Sequence, residues 1–256
     1  MSGVFRKRNE TGYANALICE AEGLESLREA LRDAGVSGIR IPEVLSVGES
    51  EMEIEAIASR SPTAASLEEL GEGLAQMHRV PKPQYGWASD NFIGLSPQPN
   101  HWSATWGEFF VRDRLEYQVS GIREPAIREK FSEVLRHHGE RLADWLDEHS
   151  THASLLHGDL WSGNVLFDAE HPWLIDPAVY CGGREADLAM TEMFGGFGRA
   201  FYQAYDRVYL RSSVYEQKRD IYNLYHYLNH YNLFGSGYLD GCKRGFSRLK
   251  RITESP

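Results

Sequence analysis

The chain is short of cysteine, short of positive charge and without a long apolar run, and each shortage removes a class of protein. Cys19, Cys181 and Cys242 are the only cysteines in 256 residues. Odd in number and widely spaced, they suit neither a disulfide framework nor a Cys-x-x-Cys metal site, so reduced thiols are expected. Lysine and arginine total 27 against 37 aspartates and glutamates, a formal net charge of -10. Nothing offers the basic footprint that a nucleic-acid backbone requires, which excludes general nucleic-acid binding. No apolar stretch approaches membrane-spanning length, and the opening Met-Ser-Gly-Val-Phe-Arg-Lys-Arg lacks the apolar core of a secretion signal. A cytoplasmic protein with no membrane partner is expected. With 42% hydrophobic residues, the chain can still bury a sizeable core.

The first stretch reads as a small β-rich lobe with one helix. Residues 4–8 form a candidate strand. Leu24, Leu27 and Leu31 at helical spacing predict a helix over 18–34, with Gly35 as its stop. Residues 42–47 and 53–57 look like two strands around the polar turn 48–50. Residues 59–63 are a plausible hinge, which divides the chain into lobes 1–58 and 59–256. Beyond it the pattern is mainly helical. Ser66-Leu67-Glu68-Glu69 has a capping-box pattern opening a helix that Pro81 and Pro83 terminate. Residues 85–102, rich in Gly, Pro, Asn and aromatics, predict an ordered loop. Helices are expected over 105–117 and 126–149, and again from 187 onward. There is no internal repeat or low-complexity tract.

Chemistry concentrates in His157-Gly158-Asp159-Leu160-Trp161-Ser162-Gly163-Asn164, followed by Ile175-Asp176-Pro177. Apolar triplets flank both polar clusters, so residues 165–167 and 173–175 can pair as a hairpin. Such a hairpin brings Asn164 and Asp176 together, with Asp159 on the loop just before. Two oxygen-bearing side chains at a strand mouth suit Mg²⁺, which takes few protein oxygens plus water and phosphate oxygens. A third carboxylate facing them is placed to accept a hydroxyl proton. Phosphoryl transfer asks mostly for these parts: a positioned metal, a positioned nucleophile and charge neutralisation.

The His-Gly-Asp-x-x-x-x-Asn and Ile-Asp-Pro pair is similar to the catalytic and metal-binding loops of aminoglycoside phosphotransferase-like proteins, a branch of the protein kinase fold. His-Gly-Asp-Leu-Trp-Ser-Gly-Asn, Ile-Asp-Pro-Ala-x-Tyr and the run from Arg184 to Phe197 narrow the resemblance to the fructosamine (ketosamine) kinase family. Tyr85-Gly86-Trp87, Asn91-Phe92-Ile93-Gly94 and the Pro97 to Trp102 segment also resemble that family. The resemblance implies an α+β, two-lobed, protein-kinase-like fold. Its activity would be transfer of the γ-phosphoryl group of ATP, with Mg²⁺, to a small sugar-amine substrate. It further implies Asp159 as the catalytic base and Asn164 and Asp176 as metal ligands. Lys7 would pair the nucleotide phosphates and Glu22 would hold that lysine. Glu55, Ala56 and Ile57 would form the adenine-binding hinge, and Trp161 a stacking platform for the sugar. Six residues ahead of Lys7 leave no room for the two strands and Gly-rich loop usual before that lysine. Either the sequence starts late or the N-terminal sheet is minimal.

Other readings stand beside these. Glu20 competes with Glu22 as the partner of Lys7, and the basic run Arg6-Lys7-Arg8 also reads as a solvated terminus. His157 reads as a brace for the loop, and Arg184 and Asp187 as its internal anchors. The tyrosines between 222 and 238 read as core and cleft wall. Two further functions remain open from residues alone. One is a kinase for another small alcohol or an aminoglycoside; the other is a scaffold with weak or no nucleotide binding.

Overall fold

The computed structural model describes residues 3–254; the outermost residues of the two expected lobes, 1–2 and 255–256, lie outside it. Strand β1 (Val4–Arg8) leads into helix α1 (Ala16–Asp33), then β2 (Val44–Val47) and β3 (Glu51–Glu55). β3 lies between the other two, antiparallel to both, with Lys7 opposite Met52. Alternation sets the burial of β3: Met52 and Ile54 are buried, while the three glutamates face outward. The buried pair joins Leu24, Leu27 and Leu31 of α1 in one apolar cluster. Gly35, at φ +71°, ends α1 as expected. The Val36 N–H donates to the Leu31 carbonyl and the Gly35 N–H to that of Arg32, the paired bonds of a Schellman stop.

Helix α2 (Ala64–His78) starts a turn earlier than the pattern at Ser66 predicts. Thr63 is the N-cap and Ser66 the reciprocal third residue: Thr63 Oγ1 accepts the Ser66 N–H and Ser66 Oγ accepts the Thr63 N–H. Ala64 and Ala65 favour helix, so the segment extends back until a hydroxyl satisfies its free N–H groups. The loop expected over 85–102 holds a short hairpin of β4 (Asn91–Ile93) and β5 (Ser96–Gln98). Its turn is Gly94-Leu95, with Gly94 at φ +56°. The helix expected over 105–117 is a helical run of α3 (Trp106–Phe109), a wider π-helical stretch (Phe110–Glu116) and α4 (Tyr117–Ser120).

Helix α5 (Pro125–Glu148) buries Phe131, Val134, Leu135, Leu142 and Leu146 along its expected stripe. Four short strands follow, β6 (Ser154–Leu156), β7 (Val165–Phe167), β8 (Pro172–Leu174) and β9 (Tyr180–Gly182). β6 pairs with β9 and β7 with β8, both antiparallel. Helices α6 (Glu185–Met193), α7 (Arg199–Val208), α8 (Tyr215–Phe234) and α9 (Leu239–Glu254) complete the described chain.

The architecture is α+β, with a small antiparallel sheet and one helix set on a mainly helical body. One core cluster joins α3, α5, α8 and α9. The other joins α1 and β3 to α2, α7 and strands β6 to β8, so apolar packing continues across residue 58. Among the described residues, no helix is long and apolar enough to cross a membrane.

Candidate active site

The loop between β6 and β7 is held from beneath by a single buried carboxylate. Asp187, in the first turn of α6, accepts the His157 N–H at 2.8 Å, the Gly158 N–H at 2.9 Å and a bond from His78 Nε2 at 3.3 Å. Burial works to raise its pKa, but His78, His157 and the Gly158 N–H outweigh that and hold it below the ordinary carboxylate value. His157 braces the loop as its position suggested, Nε2 meeting the Ile175 carbonyl at 2.9 Å. Burial lowers its pKa and keeps it neutral. Gly158 is obligatory here. Its φ is +83°, and a Cβ would lie 1.9 Å from the Ala178 carbonyl oxygen.

Asp159 follows, half-buried, at the mouth of a cavity. Asn164 is buried, and its side-chain N–H₂ donates to the Asp159 carbonyl at 2.8 Å and to Asp159 Oδ2 at 3.0 Å. The β7–β8 hairpin has Val165 opposite Leu174, and the Ile175 N–H bonds the Asn164 carbonyl. The pairing places Asp176 beside Asn164, as the sequence pattern predicts. Asp176 is also the one non-glycine residue at positive φ, +53°, among the described residues. A strained backbone of this kind is kept where the surroundings demand it, commonly at functional sites. Burial pushes the Asp159 carboxyl up to about 7; the Asn164 bond opposes this, and the charges of Asp176 and Asp187 add to it. A carboxylate near 7 has the basicity of a working general base.

From the other side, Lys7 on β1 reaches into the same cavity. Lys7 Nζ lies 2.7 Å from Glu20 Oε2 and 2.9 Å from Asp176 Oδ1. The partner is Glu20 and not Glu22, which corrects the assignment implied by resemblance. Two residues along an α-helix turn a side chain by about 200°, so Glu22 faces solvent while Glu20 faces the cavity. Burial works to lower the pKa of Lys7, but Glu20 and Asp176 outweigh it and keep the amine charged. For Glu20 burial is the largest influence; together with Asp176 it overcomes Lys7 and pushes the carboxyl up to about 7. Two carboxylates share one ammonium, so Glu20 holds a proton more readily than an isolated glutamate.

Trp161 borders the cavity, half-buried, in edge contact with Phe194. Glu55, Ala56 and Ile57 are not brought to it. The Ala56 N–H is used by the Gly3 carbonyl and the Glu55 N–H by that of Glu43, while the Ile57 carbonyl accepts from Ser59. The cavity measures about 730 Å³ and runs from Lys7, Glu20 and Asp176 past Asn164 to Asp159. The turn of the β4–β5 hairpin supplies Phe92, Gly94 and Leu95 to its wall. The sequence predicts an ordered loop over that segment, without the hairpin. The two-residue Gly-x turn between short extended runs was the available signal.

The family model described as fructosamine kinase matches residues 1–251. A probable ketoamine kinase of Vibrio parahaemolyticus is 38% identical over 255 residues, covering 96% of this chain and 84% of its own. A chloroplastic protein-ribulosamine 3-kinase of Arabidopsis thaliana is 41% identical over 234 residues, covering 86% of this chain and 67% of its own. A crystal structure of a putative fructosamine-3-kinase from Haemophilus somnus superposes with a TM-score of 0.82 at 27% identity, over 96% of this chain and 83% of that one. A choline kinase from Streptococcus pneumoniae shares the fold, with a TM-score of 0.62 at 15% identity, over 98% of this chain and 86% of that one.

Proposed function

This chain belongs to the fructosamine kinase family, and from that premise we propose that it transfers the γ-phosphoryl group of ATP to a sugar hydroxyl of a ketosamine, in the cytoplasm, where its three free thiols stay reduced. The observation that carries the reading is the convergence of Lys7, Asp159, Asn164 and Asp176 on one cavity from three separate stretches of chain. Residues 1–58 form the nucleotide-side lobe in this reading, and residues 59–256 the catalytic and acceptor lobe.

Asp159 orients the acceptor hydroxyl and takes its proton as the bond to phosphorus forms. Asn164 commits its N–H₂ to Asp159, which leaves Oδ1 as an oxygen donor next to the Asp176 carboxylate. That all-oxygen pair fits Mg²⁺, which takes few protein oxygens. When bound, the ion neutralises charge on the phosphates. Lys7 stands 2.9 Å from Asp176, so the cation and the metal ligand adjoin, as a phosphate bridging both requires. Glu20 holds Lys7 in place. Trp161 offers its indole face to the apolar side of the sugar.

Incubation with ATP, Mg²⁺ and a panel of ketosamines, followed by detection of phosphorylated sugar, tests the reading. Turnover on choline or an aminoglycoside with no phosphorylated ketosamine would sink the acceptor assignment. Calorimetric silence with millimolar Mg·ATP would sink the kinase assignment altogether.

Two substitutions probe the nucleotide side. Asp176→Ala is expected to abolish saturable Mg²⁺ dependence up to tens of millimolar; a normal metal titration in this variant would place the ion elsewhere. Glu20→Gln is expected to raise the KM for ATP about tenfold, equivalent to about 1.4 kcal/mol, while Glu22→Gln leaves it within about twofold. Equal effects from the two would mean that the ion pair with Lys7 plays no part in binding.

A further inference from the structure

A second cavity, of about 350 Å³, opens on the other side of Asp159 and Trp161. It shares those two residues, with Gly94 and Leu95, with the cavity that holds Lys7 and Asp176. A ligand can therefore span the two past Asp159. Apart from Ile93 and the buried amide of Asn229, the rest of its wall comes from α6 and α8 and the turns that follow them: Met190, Phe194, His230, Leu233, Phe234 and Tyr238. The rings form a continuous chain. Trp161 meets Phe194 at 5.6 Å between centroids, Phe194 meets His230 at 5.5 Å, and His230 meets Tyr238 at 4.9 Å.

Two properties of this wall are informative. Among the described residues, Asp159 is the only charged one that lines it. For His230 burial lowers the pKa, and the bond from its Nδ1 to the His226 carbonyl at 2.8 Å opposes this. The rim is also apolar yet open to water: Leu95 and Phe194 are exposed, and Phe234 keeps 61% of its surface accessible. Exposed aromatic surface that is contiguous with a reaction site marks a place where a ligand covers it.

We propose that this aromatic cavity is the subsite for the group carried on the ketosamine nitrogen, and that it selects an apolar, aromatic substituent over one bearing a carboxylate. The inference rests on the ketosamine reading above. A sugar hydroxyl held at Asp159 with its ring against Trp161 directs the amine end toward Phe194, His230 and Phe234. A phenyl group there removes apolar surface from water on both partners. A carboxylate finds no cation to pair with, and its charge adds to that of Asp159.

The test compares two adducts of the same sugar, N-benzyl fructosamine and the fructosamine of glycine, which place a phenyl ring or a carboxylate one methylene from the nitrogen. The wild-type kcat/KM is expected to favour the benzyl adduct by about tenfold or more. Phe234→Ser and Tyr238→Ser should each cut that ratio several-fold, through the KM of the benzyl adduct rather than through kcat. A wild-type ratio near one, or a ratio that survives both substitutions, overturns the subsite while leaving the ketosamine reading in place. If neither adduct is phosphorylated while another alcohol is, the ketosamine reading falls and the subsite with it.

Discussion

Asp159→Asn is expected to lower kcat roughly a thousandfold, within the range that a positioned general base contributes, while the affinity for Mg·ATP changes less than about threefold. The substitution is conservative in geometry. An amide oxygen at 159 still accepts the Asn164 N–H₂ bond now made at 3.0 Å, so the loop and the neighbouring metal ligands keep their places. Only the basic lone pair is lost. Single-turnover kinetics and calorimetry separate the two effects. If ATP affinity falls in step with turnover, Asp159 organises the site instead of acting as its base. The same residue predicts a pH profile. Burial raises its pKa to about 7, so the ionised, active form is lost as pH falls through 7. Because kcat/KM reports the free enzyme, it should level off above about pH 7.5 and drop about tenfold per unit below 6.5. Glu20 is also pushed up to about 7, and the limb should therefore persist in Glu20→Gln. Its disappearance there would assign the titration to Glu20.

Asp187→Asn should cost the protein about 3–5 kcal/mol of stability, the usual penalty for breaking a buried charged network. The carboxylate is 1% exposed and accepts from His157, Gly158 and His78. An amide can satisfy one side of that arrangement but turns its own N–H₂ toward donors on the other. Denaturant unfolding measures the loss, and a change under about 1 kcal/mol would show that the network is dispensable. The pH dependence has a definite sign. A carboxyl whose pKa is depressed by folding stabilises the protein above its unfolded value of about 3.9, and that contribution disappears as pH falls through the folded value. His78 and His157, whose pKa values burial lowers, take up protons more readily when unfolded, so their effect begins below about pH 6.5. Wild-type stability should thus decline continuously on the acid side, and Asp187→Asn should flatten the part of that decline below pH 4.

Much of the site could be read from local pattern. The spacing from Asp159 to Asn164 and on to Asp176 encodes a loop, a strand, a turn and a second strand. Asp168 accepts the Glu170 and His171 N–H groups, so the hairpin closes locally. A period-two alternation and a turn residue suffice to place Asn164 beside Asp176. Lys7 came from the resemblance alone, since the basic run Arg6-Lys7-Arg8 reads equally as a solvated terminus in the sequence. The stop of α1 at Gly35 and the stripe of α5 followed from propensity and helical spacing.

Other features needed the fold. Glu20 and Glu22 are equally good glutamates in the sequence; only the rotation of α1 against the sheet decides which one meets Lys7. Residues 55–57 lie where a hinge belongs in sequence order, but the pairing of Ala56 with Gly3 is a tertiary bond. The acceptor-side wall is the clearest case. Phe194 falls in the run from Arg184 to Phe197 and Tyr238 among the tyrosines read as core and cleft wall, but nothing in the sequence joins them to His230 and Phe234, and they meet only because α6 packs on α8. Asp159 itself was chosen by sequence. Its pKa, and therefore its strength as a base, was decided by what the tertiary structure buried around it, because desolvation depends on neighbours from every part of the chain.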